Sequence, residues 1–279
     1  MISQIKKIFW LFLISTSFTA WGQTGVIPTC YDTKLPSPST EIKLELFVLV
    51  DQTTILDDQL KQQVADQVRP FLSAGNSFSF LTFSSYSQGK YTQLVVTGVL
   101  EQKMTMVMRN DVSKPLLNKH DLCMTRQPQI ATQAAGAALK FSFDGTSNDL
   151  AKSDIFASLK DISGKVRQSP ANSKIVLLVS DMLENSSISS FYQNQSVRRI
   201  NPEKELQLVA DNMMFGDFGG ARVFVIGAGL LSEDARSKKG IYREPQTMSA
   251  LKNFWSMYFE KSNAQLIEFG QPALLNPIR

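Results

Sequence analysis

The chain has 279 residues, 43% of them hydrophobic, and a formal net charge of +4. This hydrophobic content supports a packed core and argues against an intrinsically disordered protein. Lysine and arginine are scattered along the chain and form no basic stripe, so the composition argues against a nucleic acid as partner.

The first 22 residues are predicted to be an export signal. Lys6 and Lys7 precede an apolar run over 8–18, and Ala20 and Gly22 are small residues at the two positions that a signal peptidase reads. The run is short for a bilayer crossing, which needs about 20 apolar residues, although an uncleaved anchor is the alternative. We expect a periplasmic or secreted protein with no transmembrane segment after cleavage.

Residues 23–41 contain several prolines, serines and threonines and are predicted to form an extended lead-in. This segment contains Cys30, and the second cysteine of the chain is Cys123. An even number of cysteines in an exported protein predicts one disulfide between them. Two free buried thiols are the alternative.

The first regular element is a strand over 44–50 that is apolar on both faces, which is typical of the middle of a parallel sheet. A helix is predicted to begin at Asp57 or Asp58, because acidic residues suit a helix N-terminus. Strands over 77–83 and 91–100 then follow, and the polar turn between them indicates a hairpin.

Residues 101–127 show no clear periodicity and are interpreted as an insertion or a long loop. They contain His120, the only histidine of the chain. A lone histidine without a visible partner is more often structural than functional.

The second half of the chain alternates helices with apolar strands. The predicted helices cover 129–143, a segment that begins at Ser153 or Asp154, 203–215 and 247–259, and the predicted strands cover 174–180, 221–227 and 264–269. A polar loop over 184–200 and a tail over 271–279 complete the chain. This order predicts an α/β fold with a doubly wound, mostly parallel sheet and helices on both faces.

Ligands of such sheets bind outside the carboxyl ends of the central strands. Asp51, Thr53 and Thr54 follow the first strand, Asp181, Glu184 and Asn185 follow the strand over 174–180, and Ser153 and Asp154 precede a helix. We therefore expect these eight residues to meet at one edge. Carboxylate and hydroxyl oxygens suit Mg²⁺, Ca²⁺ or Mn²⁺.

At these residues the chain resembles the von Willebrand factor A (vWA) family over 42–270. That family places an Asp-x-Ser-x-Ser signature after its first strand, a threonine on a later loop and an aspartate after its fourth strand. The resemblance implies a metal-ion-dependent adhesion site of Asp51, Thr53, Ser153 and Asp181. The sequence departs from the signature at its second serine, where it has Ile55.

In vWA-like proteins the partner usually donates a carboxylate to a bound Mg²⁺ or similar cation. The resemblance thus implies a protein-binding module without catalysis, in an envelope or extracellular complex. Thr54, Asp154, Glu184 and Asn185 flank the metal-site residues and are the predicted partner contacts.

Two other functions stay open from the sequence. One is a structural subunit with an inactive metal site, which Ile55 favours over a hydrolase. A metal-assisted hydrolase could use Asp51 and Asp181, but the chain has no Gly-x-Ser-x-Gly motif. The two aspartates could also simply cap helices or bind loop amides. Gly227-Ala228-Gly229 could cradle a phosphate, although the third glycine of a dinucleotide motif is missing.

Overall fold

The computed structural model describes residues 26–36, 39–84, 92–146, 153–193, 196–231, 234 and 243–279. The predicted export signal lies outside these residues. Among the helices of the described part, none has the length and apolarity needed to cross a membrane.

A six-stranded sheet forms the centre of the molecule, with the order β3-β2-β1-β4-β7-β8. Every neighbouring pair is parallel except β2 and β3, which form the predicted antiparallel pair at one edge. A separate two-stranded hairpin, β5 and β6, lies in the polar loop. The strands are β1 (Leu44–Asp51), β2 (Asn76–Phe83), β3 (Gln93–Val99), β4 (Ser173–Val179), β5 (Tyr192–Gln193), β6 (Ser196–Val197), β7 (Ala221–Ile226) and β8 (Ala264–Phe269).

The helices pack on both faces of this sheet. They are α1 (Asp58–Val68), α2 (Met106–Asn110), α3 (Lys114–Asp144), α4 (Ile155–Gln168), α5 (Pro202–Asp211) and α6 (Pro245–Lys261). The buried apolar side chains of α1 and of the second half of α3 belong to one core cluster, and those of α4, α5 and α6 to another, whereas α2 has no buried residue. The predicted doubly wound α/β class, to which vWA and Rossmann-like folds belong, is therefore confirmed.

The alternation of side chains along β1 explains why the sheet has two cores. Phe47 and Leu49 lie in the cluster on the α4 side, whereas Leu46, Val48 and Val50 lie in the cluster on the α1 side. Successive side chains of a strand point to opposite faces, so a strand covered on both sides must be apolar throughout. The continuous apolar run in the sequence follows from this central position.

The interpretation of 101–127 as a long loop is wrong, because most of this segment is helical. It contains α2 and the first half of α3, which begins 15 residues before the predicted start at Gln129. Pro128 lies inside α3, where a proline normally ends a helix because it lacks an N–H group. The status of the segment as an insertion stays a prediction.

The predicted disulfide joins Cys30 to Cys123, with the two Cα atoms 5.6 Å apart. It connects the lead-in to α3. Around it, the Gln127 amide donates to the Pro28 carbonyl at 2.9 Å and to Glu101 at 2.8 Å. The lead-in is thus fastened to the helix by polar contacts as well as by the covalent bond.

Candidate functional site

The sheet topology brings the predicted residues to one place. The chain leaves β1 toward β2 on one side and later returns to β4 on the other, so β1 and β4 are parallel neighbours. Their carboxyl ends form the topological switch point where doubly wound sheets bind ligands. Asp51 ends β1, and Ser180 and Asp181 follow β4 directly. We call Asp51, Thr53, Ser153 and Asp181 the rim.

Asp51 is the centre of the rim and is completely buried. The amide and the hydroxyl of Thr53 donate to its Oδ1 at 2.9 and 2.6 Å. Its Oδ2 accepts hydrogen bonds from the hydroxyls of Ser180 at 2.8 Å and Ser153 at 3.3 Å. Three segments that are distant in sequence therefore meet on one carboxylate.

Asp181 has a different set of partners. Its Oδ1 accepts from the amide of Leu183 at 2.9 Å, and its Oδ2 accepts from the hydroxyl of Tyr192 at 2.6 Å. Its own amide donates to the hydroxyl of Thr54 at 2.9 Å. The residue that follows, Met182, has a φ of 59°, a left-handed conformation that costs a non-glycine residue of the order of 1–3 kcal/mol. The surroundings hold it there, since the Trp255 indole donates to its carbonyl at 2.9 Å.

Burial makes both aspartates unusually weak acids. Loss of hydration raises the pKa of Asp51, against the opposing effect of its hydrogen bonds from Thr53, Ser180 and Ser153. The pKa of Asp181 is raised to about 8, first by burial and then by repulsion from Asp51. Burial, followed by the nearby charge of Asp181, also raises the pKa of Tyr192. The phenol therefore keeps its proton and acts as a donor to Asp181.

Three of the four predicted rim residues are joined directly, since Thr53 and Ser153 both donate to Asp51, and Asp181 is close enough to Asp51 for repulsion between the two carboxylates to raise its pKa. Their role as metal ligands stays a prediction. The predicted partner contacts divide into two pairs. Asp154 and Asn185 are half-buried at this edge, where the amide of Asn185 donates to the carbonyl of Ser153 at 2.8 Å. Their contact with a partner stays a prediction. Thr54 and Glu184 are buried, at 4% and 0% exposure, so the structure does not support them as partner contacts.

Glu184 is directed inward and stabilises the N-terminus of α4. One carboxylate oxygen accepts from the amides of Ile155 at 2.8 Å and Phe156 at 3.0 Å, the first two residues of α4. Helix N-termini leave unpaired amides and a partial positive charge, both of which favour a carboxylate. Asp154 caps the same helix by accepting from the amide of Ala157 at 3.3 Å. Together they position the loop that holds Ser153.

Two residues of the site were not predicted from the sequence. Ser180 lies directly before Asp181, and its position at the end of a buried strand could have indicated its role. Tyr192 lies in the polar loop over 184–200, eleven residues after its partner Asp181. An aromatic residue in a serine- and asparagine-rich loop was the available signal, but a sequence pattern does not indicate where its hydroxyl binds.

Other candidate features of the sequence do not form a site here. The amides of Gly227, Ala228 and Gly229 all donate to backbone carbonyls of the protein, so this turn offers no phosphate cradle. His120 lies in α3. Its ring is edge-on to the ring of Tyr31, with the two centroids 4.8 Å apart, and its Nδ1 lies 3.1 Å from Oδ1 of Asp121. It therefore belongs to the surroundings of the disulfide.

The rim residues do not fit the cation that the vWA resemblance implies. The signature position Ile55 supplies no oxygen, and both oxygens of Asp181 already accept hydrogen bonds from Leu183 and Tyr192. Within the part of the chain that the structure describes, no group of three or more histidine, cysteine, aspartate or glutamate side chains is placed to hold a metal ion. Cation binding therefore stays a prediction of the resemblance alone.

No protein-family model matches the chain, and no curated protein matches it. Among solved structures, an aerotolerance-related membrane protein from Bacteroides fragilis, carrying multiple mutations to serines, aligns with 82% of this chain and 92% of its own. The identity is 10% and the TM-score is 0.36. Similarity at this level carries no functional argument, and the fold rests on the topology of this chain.

Proposed function

We propose that this protein is an exported, vWA-like protein-binding module that holds its partner at the carboxyl edge of the sheet, within an envelope or extracellular assembly. The observation that carries the proposal is the convergence of three distant segments on Asp51. Such a rigid, hydrogen-bonded edge presents the loops around it in a defined arrangement, as binding sites on α/β scaffolds commonly do.

The surface available to a partner is a layer of half-buried side chains around the buried carboxylates. We call it the outer layer, and its members are Gln52, Thr53, Ile55, Asp154, Asn185 and Tyr192. It contains polar, aliphatic and aromatic groups, a mixture that suits a protein surface. The aspartates beneath hold the outer layer in place.

A binding role agrees with the site better than a hydrolytic one. A metal-assisted or acid–base mechanism needs a carboxylate that can reach a substrate. Asp51 and Asp181 are 0% and 4% exposed, and their oxygens accept hydrogen bonds from neighbouring residues. We therefore propose that the chain is not an enzyme.

The disulfide supports export. Disulfides persist in oxidising compartments and are rare in the cytosol, where thiols are kept reduced. The Cys30–Cys123 bridge together with the predicted signal supports a periplasmic or secreted location.

Site-specific photo-crosslinking in the native host tests the proposal. A crosslinking amino acid at position 52 or 185, both in the outer layer, should give the same discrete product with one protein. The matched control is position 43, an exposed lysine that precedes β1 at the opposite edge of the sheet. Products of equal yield from position 43, or no product from either outer-layer position, would contradict the proposal.

A further inference from the structure

The hydroxyl of Tyr192 donates a hydrogen bond to Asp181, the residue that resembles the second aspartate of the vWA metal site. The hydrogen bond is 2.6 Å long, and Leu183 donates to the other oxygen at 2.9 Å. Asp181 is buried, so each of these donors replaces hydration that the carboxylate has lost. In the vWA family a cation compensates the acids of this site, whereas here protein hydrogen atoms do so.

The backbone next to Tyr192 is held firmly. Phe191 is fully buried, and its ring packs edge-on against Phe156 and Phe254, with centroids 6.0 and 5.2 Å apart. Its amide donates to the carbonyl of Glu184 and its carbonyl accepts from the amide of Arg198, both at 2.7 Å. Tyr192 is therefore presented to Asp181 by an anchored segment of the core.

The base of the β5–β6 hairpin is fixed by a second set of contacts. The guanidinium of Arg198 bonds the Ser190 carbonyl at 2.7 Å and the carboxylate of Glu205, on α5, at 2.6 Å. Glu205 also accepts from the hydroxyl of Ser189 at 2.6 Å. These contacts place both ends of the tyrosine-bearing segment.

The remaining positions of the signature agree with this arrangement. Ile55 has no oxygen where the family has a metal-binding serine, and the hydroxyls of Thr53, Ser153 and Ser180 all donate to Asp51. The two acids of the rim thus accept hydrogen bonds from donors within the protein, some of the rim and some beside it.

We infer that the rim is a cation-independent binding site, in which the Tyr192 hydroxyl compensates Asp181 in place of a divalent metal. Tyr192 is a positioning residue: it keeps the Asp181 loop in its binding conformation without an ion. This inference rests on the proposed binding function, since it states how the same edge recognises its partner.

Titration of the metal-free protein with Mn²⁺, followed by electron paramagnetic resonance, tests the inference directly. We expect no binding to the wild type up to about 10 mM, well above the weakest dissociation constants of about 1 mM known for extracellular calcium modules. The double variant Ile55→Ser/Tyr192→Phe restores a hydroxyl and frees one oxygen of Asp181. It should bind Mn²⁺ with a dissociation constant at least tenfold below the wild-type limit of about 10 mM. Wild-type binding that is lost in Asp181→Asn would overturn the inference, as would a double variant that folds but does not bind.

The variant Tyr31→Phe is the matched control. Tyr31 also donates a 2.6 Å hydrogen bond, to the carbonyl of Gln102, but it lies beside His120, away from the rim. Its removal should leave Mn²⁺ binding as weak as in the wild type. A gain equal to that of the double variant would show that the effect is not specific to Asp181.

A chelator separates this inference from the proposed function. Crosslinking from position 185 should keep its yield in the presence of EDTA. If EDTA abolishes the product, the cation-independent site is excluded while partner binding stands. If no partner is captured at all, the proposed function fails, and the Mn²⁺ titration still decides the chemistry of the rim.

Discussion

At the scale of single residues, Glu184 shows how burial changes the role of a side chain. Its position three residues after Asp181 predicted a partner contact, yet its carboxylate lies in the interior and accepts from two amides of α4. Burial raises the pKa of Glu184 to about 8, and repulsion from Asp154 adds to this effect, while hydrogen bonds from Ser186 and the two amides oppose it. The charge of Glu184 is therefore costly to the folded state.

We expect the free energy of unfolding to fall as pH rises from about 5 to about 8, in part because of Glu184. The pKa of this group is higher in the folded chain, about 8, than its ordinary value of 4.5, so the folded state binds the extra proton between these values. Its stabilising contribution is complete below the ordinary pKa and is lost as pH rises through about 8. The variant Glu184→Gln cannot titrate, so its stability should depend less on pH, by up to about 1.4 kcal/mol per pH unit.

Urea unfolding of both proteins across this pH range measures the difference. Glu205→Gln is the control, because it neutralises another buried glutamate, one that is paired with Arg198. Parallel pH dependences for the wild type and Glu184→Gln would show that Glu184 does not carry the effect.

At the scale of elements, α3 is where prediction and structure differ most. The buried residues of its first half are His120, Met124 and Gln127, of which only Met124 is apolar, and Pro128 interrupts its hydrogen-bond ladder. Contacts with distant segments stabilise it instead. The guanidinium of Arg109 binds both carboxylate oxygens of Asp121 at 2.7 Å, and the disulfide ties Cys123 to the lead-in. A helix held by such contacts has a weak sequence signal, because its stability is not local.

The double variant Cys30→Ser/Cys123→Ser should be less stable by about 4–5 kcal/mol. The bridge closes a loop with a sequence separation of 93, and the chain-entropy model assigns about this free energy to such a loop. Guanidinium unfolding of the variant and of the oxidised wild type measures the difference. The double variant should still give the crosslink from position 185, since the bridge fastens α3 and not the rim. A loss of stability below about 1 kcal/mol would contradict the expectation.

At the scale of the whole molecule, the C-terminal tail ties the end of the chain to the first helix. The sequence predicts an irregular tail over 271–279, and the structure has no helix or strand there. The tail is nevertheless packed: Leu274 and Ile278 are each 5% exposed and join the core cluster on the α1 side. The backbone of Leu274 exchanges two hydrogen bonds with the side chain of Gln63, of 2.9 and 3.0 Å.

The single variants Leu274→Ala and Ile278→Ala should each be less stable than the wild type by about 2 kcal/mol, the lower end for truncation of a buried aliphatic side chain. Leu275→Ala is the matched control, because Leu275 is 90% exposed and its truncation should cost less than about 0.5 kcal/mol. Thermal and urea unfolding of the three variants gives the comparison. Equal losses at positions 274 and 275 would show that the tail is not docked as described.

The sequence by itself determined the α/β class, the order of the main strands and helices, and the meeting of Asp51, Ser153 and Asp181 at one edge. These features depend on local periodicity and on the rule that parallel strands end at the same side, both of which a single sequence contains. Only the tertiary structure decided the inward direction of Glu184, the hydrogen bond from Tyr192 to Asp181, the two helices within 101–127 and the docking of the tail. Each depends on contacts between segments that are brought together by the folded chain, where burial and hydrogen bonding determine which neighbour a side chain meets.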